Sequence, residues 1–268
     1  MKEIKHEDVS IIIPAFFSKE HLPRTLDSLI NQTYKNFKAY IVDGSNCLET
    51  KELINRYRKK IDIVYFNNVD DHGPADARAK GIKLSKGKYI AFLDAGDFWT
   101  NNKLSDQISQ MKKFSQGFTF SKTKVLDLDN EKISDYRHCA KSYSFNEYLY
   151  KRGIVTSGVC IQRDLFKENV LDIILPHSGE ETIWLQLILR DTCSRAYMVK
   201  SDSYVAYVSS GQSLSSFQLR TVLQQWKNMK DILNLNLISR VKNFFLYLVY
   251  ALFIKVKLRT KPWKGLYG

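Results

Sequence analysis

Cysteine is scarce in this chain and poorly placed for metal or disulfide chemistry. The four thiols, Cys47, Cys139, Cys160 and Cys193, are widely spaced and form no C-x-x-C pair. That argues against a zinc site and a disulfide framework, and it fits a reducing cytoplasm. Long apolar runs are missing too. The C-terminal run "NFFLYLVYALFI", 243–254, falls short of the about 20 residues that a membrane-spanning helix needs. The opening "MKEIKHEDVS" is charged and leads directly into a strand, so no secretory leader is expected. Familiar phosphate and catalytic loops are also absent. There is no G-x-x-x-x-G-K-[ST], no G-x-S-x-G elbow and no H-E-x-x-H, and "PAFFSKEH" stands where a dinucleotide fold places G-x-G-x-x-G. No internal repeat, low-complexity tract or clear linker interrupts the 268 residues. That length allows one large α/β domain with appendages, or two modest domains.

What is present is a regular alternation. "VSIII", 9–13, reads as a buried parallel strand stopped by Pro14, followed by a helix carrying Leu22, Leu26, Leu29 and Ile30. "FKAYIVDGS", "IDIVYF" and "YIAFLD" read as three more strands, separated by helical "ETKELINRYRKK" and "GPADARAKGIKLSKG". Four repetitions in about ninety residues predict a doubly wound α/β layer with a mainly parallel sheet. Ligands bind such sheets beyond the carboxyl ends of the strands. Pro14, Asp43, the loop 67–74 and Asp94 are therefore expected on one rim. The second half predicts one strand over 117–129, another over 156–166 leading into a helix, a helix over 179–191, and a strand pair over 196–208.

The rim is rich in carboxylates: Asp43, Asp70, Asp71, Asp94 and Asp97, with Glu180 and Glu181 further along. Such a cluster suits a divalent cation carrying phosphates, with another carboxylate as base. Charge is uneven as well. Of the net +13, about +8 lies in the last 42 residues, where nine Lys/Arg face one acid, Asp231. Cations flanking an apolar run predict a helix lying in a membrane interface, with Trp263 and Tyr267 as anchors; a packing helix that closes the domain is the alternative. A nucleic-acid partner would explain the charge but not the carboxylate rim, and none is expected.

The order of these pieces resembles a known family. "VSIIIPAFFSKEHLPRTLDSLINQTYKNFKAYIVDGSN" is similar to the opening of family-2 glycosyltransferases, and "DHGPADARAKGIKLSKGKYIAFLDAGDFW" continues the likeness. It covers residues 9 to about 110 well and 155–190 loosely. The resemblance implies a GT-A fold: a catalytic domain over 1–220, with a nucleotide-sugar half (1–110) and an acceptor half (111–220), then a basic amphipathic helical region (221–268). It implies that the backbone of Pro14, Ala15 and Phe16, with Asp43, holds the base of a UDP-sugar. Asp94 would be the first acid of the family's D-x-D, near the ribose and the metal-bound diphosphate. The second acid is Gly96 here, so Mg²⁺ or Mn²⁺ would bind through Asp94 or Asp97. Arg78 matches the family's A-R-N arginine, although the asparagine is Ala79. "SGEETIW" matches the E-D pair that supplies the base for inverting transfer. Alignment on Gly179-Glu180 selects Glu181, the preferred residue, and alignment on Trp184 selects Glu180. Plainer roles remain for each: Asp43 as a turn former, Arg78 as a surface charge, Asp97 as a helix N-cap, and the glutamates as a helix start.

The expected protein is a glycosyltransferase of surface-polysaccharide synthesis. It would act at the inner face of the cell membrane on a glycan acceptor linked to a polyprenyl diphosphate. A nucleotide-sugar-binding protein without turnover is the alternative that Gly96 suggests.

Overall fold

In the computed structural model, described over residues 8–70, 73–127, 132–135, 140–151, 153–172, 180–192, 194–201, 204–209 and 219–260, the first half follows the alternation closely. Strands β1 (Val9–Ala15), β2 (Phe37–Asp43), β3 (Ile63–Asn67) and β4 (Tyr89–Phe92) alternate with helices α1 (Leu22–Ile30), α2 (Leu48–Tyr57) and α3 (Pro74–Leu84). They lie side by side in the order β3-β2-β1-β4, all parallel. Period-two alternation along β1 divides its side chains between two cores. Ile11 and Ile13 pack with Leu22, Leu26 and Leu29 of α1, whereas Ile12 packs with Ala75, Ala79 and Ile82 of α3. Val9, Ile11, Ile12 and Ile13 are all fully buried, each contributing roughly 1.5–3 kcal/mol of hydrophobic stabilisation.

Pro14 does not stop β1; the strand runs on to Ala15. The Ala15 carbonyl accepts from Gly44 N–H on the β2 side, so residue 14 faces β4, where the last bond is Leu93 N–H to the Ile12 carbonyl. Its missing N–H therefore breaks no ladder bond.

Beyond β4 the sheet becomes mixed. β5 (Phe98–Trp99) and α4 (Lys103–Phe114) precede β6 (Phe118–Phe120), β7 (Lys122–Asp127), β8 (Lys132–Asp135), β9 (Ser142–Tyr143) and α5 (Phe145–Tyr148). Then come β10 (Val159–Gln162), α6 (Glu168–Leu171), α7 (Glu180–Asp191), β11 (Ala196–Met198) and β12 (Tyr204–Ser209). The main sheet extends β4-β10-β6-β11-β9, with β10 antiparallel to both neighbours, and a second sheet is ordered β5-β12-β7-β8.

The single strand expected over 117–129 is thus two strands in two sheets, and the expected pair over 196–208 is likewise divided. β6 runs parallel to β11, and β7 runs parallel to β12, so the two segments cross between sheets together. At the crossing, Ser121 N–H bonds the Gly158 carbonyl and Val199 N–H bonds the Phe120 carbonyl. Hydrophobic alternation continues through such a bend and does not mark it.

Helices α8 (Leu219–Asp231) and α9 (Leu237–Thr260) close the chain. Phe244 meets Trp226 edge-on at 5.0 Å between ring centroids, and Arg240 stacks over the same indole at 4.6 Å. The helix expected over 243–254 is longer at both ends.

Candidate active site at the carboxyl rim

Parallel pairing sets the carboxyl ends of β1, β2 and β3 on one edge, with Ala15 beside Asp43 and Asp43 beside Asn67. Neighbouring strands are about 4.8 Å apart, so one short rim collects all three. Asp43 lies in its floor rather than on its surface. Its carboxylate is wholly buried, accepting from Ser45 N–H (2.9 Å), Ser45 Oγ–H (2.6 Å) and Tyr65 Oη–H (3.0 Å). Burial, together with this neighbouring carboxylate, pushes the Tyr65 phenol up to about 12. The turn-forming role of Asp43 is therefore realised directly. What the rim presents to solvent is aromatic: Phe16 and Phe17 are 60 % and 66 % exposed and meet edge-on at 4.8 Å. Phe17 is held at φ +46°, where few non-glycine residues sit, and Ser18 Oγ braces the turn by bonding both Phe16 N–H and the Phe16 carbonyl.

The segment 94–97 is built as a fixed turn. Asp97 N–H bonds the Asp94 carbonyl, and Gly96 sits at φ +108°, a conformation that L-residues rarely adopt. Glycine at the position of the family's second acid thus matches the backbone: an aspartate there would be strained. Two hydroxyls from distant parts of the chain clamp this turn. Thr25 Oγ1 on α1 accepts from Gly96 N–H and donates to the Asp97 carbonyl, both at 2.8 Å. Ser157, in the short turn before β10, accepts from Asp94 N–H at 3.0 Å and donates to Asp97 Oδ2 at 2.5 Å. The Ser157 carbonyl in turn accepts from the Trp99 indole at 2.7 Å.

Asp94 and Asp97 consequently play different parts. The Asp94 side chain is 37 % exposed, and one of its oxygens receives Arg78 Nη2 at 2.6 Å. Arg78 is a buried residue of α3, not a surface charge, and it fixes the carboxylate from behind while adding a positive charge beside it. Asp97, expected as a second metal ligand, is buried and engaged by Ser157; it is also not a helix N-cap, since Asn102 holds that position for α4.

Among the described residues, no three His, Cys, Asp or Glu side chains gather into a metal cage. Within the described turn 94–97, Asp94 is the acid open to a hard cation, and it suits Mg²⁺ or Mn²⁺ in company with phosphate oxygens. Glu180 and Glu181 open α7, but their side chains, and Asp71, lie outside the described residues. The helix behind them is firmly seated, with Ile183, Trp184, Leu187 and Ile188 buried. Ser157 and Thr25 went unread in the sequence: they stand 63 and 71 residues from their partners, and no local pattern marks a hydroxyl that closes a distant turn.

Residues 10–169 match the model for glycosyl transferase family 2. A glycosyltransferase of Rickettsia bellii is 32 % identical over 199 residues, which span 70 % of this chain but only 27 % of that protein. An Escherichia coli protein, UDP-Glc:alpha-D-GlcNAc-diphosphoundecaprenol beta-1,3-glucosyltransferase WfaP, is 29 % identical over 228 residues, covering 84 % of this chain and 87 % of its own. Among solved structures, S. aureus TarS 1-349 in complex with UDP-GlcNAc superposes with a TM-score of 0.70 at 16 % identity, over 95 % of this chain and 76 % of that one. With the family match spanning more than half of its length, and a rim acid set on a GT-A sheet, the chain belongs to glycosyl transferase family 2 and is a glycosyltransferase.

Proposed function

We propose that this enzyme transfers a sugar, with inversion, from a UDP-sugar to a sugar carried on a polyprenyl diphosphate at the inner face of the membrane. One observation carries the reading: a half-exposed Asp94 at the sheet rim, fixed by Arg78 and Ser157. The acceptor class is the one named for WfaP, which matches most of this chain.

Each part of the rim then has work suited to its chemistry. The exposed rings of Phe16 and Phe17 and the backbone of Pro14, Ala15 and Phe16 offer an apolar edge on which the uracil can stack. Asp43 supports that edge from beneath through Ser45 and Tyr65. Asp94 takes the ribose and would hold Mg²⁺ or Mn²⁺, which when bound would stabilise charge on the leaving UDP. Arg78 contributes fixed positive charge on the same side. Glu181, or Glu180 in the other register, removes the proton from the acceptor hydroxyl as its oxygen bonds the anomeric carbon. The bond from that carbon to the diphosphate breaks, and UDP leaves with the electron pair. The first 110 residues would serve the donor, residues 111–220 the acceptor, and residues 221–268 the membrane.

Loss of the second motif acid at Gly96 raises the opposite outcome, donor binding without turnover. Release of UDP from UDP-glucose, UDP-galactose and their N-acetyl forms, with and without a lipid diphosphate sugar, decides between the two. Acceptor-dependent UDP release that Asp94→Ala abolishes supports transfer. Donor binding without release in any combination supports the second reading.

A further inference from the structure

Helix α9 packs one side into the fold and leaves an apolar stripe exposed. Asn243 and Tyr247 are buried, and Phe244 packs on Trp226 of α8. On the other side Leu237, Ile238, Val241, Phe245, Val249 and Leu252 are between 46 % and 82 % exposed. At 3.6 residues per turn these six fall within an arc of about 120°, and at 1.5 Å per residue they form a stripe about 22 Å long. Scattered exposed apolar residues need no explanation, but a continuous stripe marks an interaction surface.

We infer that this outward stripe of α9 is the face on which the enzyme lies against an anionic lipid bilayer, an inference that rests on the membrane-borne acceptor proposed above. Charge selects the occupant. The helix carries Arg240, Lys242, Lys255, Lys257 and Arg259 and no acid, and Lys242 is exposed beside the stripe. Pairing with a second copy through this face would bring two such cation-rich, acid-free helices together. Anionic headgroups complement them, and each cation near such a surface strengthens binding about five-fold. No helix among the described residues is long and apolar enough to cross a membrane, so α9 would lie flat with the stripe in the acyl boundary and Lys242 at headgroup level.

The test is co-sedimentation of the full chain with phosphatidylcholine vesicles, with and without phosphatidylglycerol, at low and high salt. Phe245→Asp/Val249→Asp should weaken partition on the order of 100-fold, because two apolar side chains are replaced by charges that the headgroups repel. Lys242→Glu should weaken binding severalfold at low salt and little at high salt. Circular dichroism establishes that the variants keep the fold, and the milder Leu252→Gln serves if the double variant does not. Transfer to a short-chain, water-soluble diphosphate sugar separates this inference from the proposed function, since stripe variants should leave it unchanged. Wild-type partition equalled by the stripe variants overturns the inference, whatever the soluble assay gives. So does a dimer in sedimentation velocity that the same variants dissociate. Absence of soluble transfer in wild type, with stripe-dependent vesicle binding intact, overturns the proposed reaction instead.

Discussion

Removing one hydroxyl should damage the active site more than its size suggests. Ser157 is fully buried, and its oxygen both accepts the Asp94 N–H and donates to the Asp97 carboxylate. Ser157→Ala deletes one neutral hydrogen bond and one charge-assisted bond at 2.5 Å. The first loss costs about 0.5–1.5 kcal/mol, since that bond is only partly buried, and the second about 1.5–3 kcal/mol. A total of roughly 2–4.5 kcal/mol is a large share of the stability of an ordinary domain. Asp94 should also lose its alignment with the donor, so turnover should fall beyond what the unfolded fraction explains. The decisive assay is a double-mutant cycle with Asp97→Asn, read by urea unfolding and by initial rate. If the two side chains act through one bond, the double variant should lose less than the sum of the singles, by about 1–3 kcal/mol. Rescue of rate by Ser157→Thr, which restores a hydroxyl, would support positioning rather than packing. Additivity within about 0.5 kcal/mol would refute the clamp.

Glu181→Gln should lower turnover by about 10²–10⁴-fold with little effect on donor binding, because a base acts only as the acceptor attacks; equal loss in Glu180→Gln alone would shift the register by one. EDTA should inhibit transfer, with Mn²⁺ or Mg²⁺ restoring it, whereas Gly96→Asp should fail to tighten metal dependence because φ +108° strains the new residue; full activity in EDTA would leave Arg78 as the charge that serves the diphosphate. The fully buried Lys103, whose Nζ lies 3.6 Å from the centre of the Trp99 ring, is lowered by burial from 10.5 to about 7. Below pH 7 its proton is bound in both folded and unfolded chains. Between pH 7 and 10.5 only the unfolded chain holds it, so stability should rise with pH across that window, by about 1.4 kcal/mol per unit. Lys103→Met should remove that slope and raise the melting temperature near pH 7, and an unchanged slope would exclude Lys103 as its source.

The parallel half of the sheet could be read because each strand there is a short, largely apolar run ended by a turn signal, with helix-forming segments between. The carboxyl rim followed from that order, and with it Asp94. One arginine in a helical pattern looks solvated, and only the packing of α3 on β1 and β2 buries Arg78 behind Asp94. Whether Asp43 faces a ligand or its own turn is not legible in sequence, because an aspartate before Gly-Ser looks the same in either case. Beyond residue 115 the reading weakened. Segments 118–127 and 196–209 change sheets midway, and hydrophobic alternation records burial on a face, not which sheet supplies it.

The most direct test of the account is proton NMR of the product formed from a UDP-α-sugar and a diphosphate-linked acceptor sugar. Inverting transfer from the Asp94 rim predicts a β-anomeric signal that appears in step with UDP release and is absent in Asp94→Ala. An α-anomeric product, or undiminished product in Asp94→Ala, would contradict it.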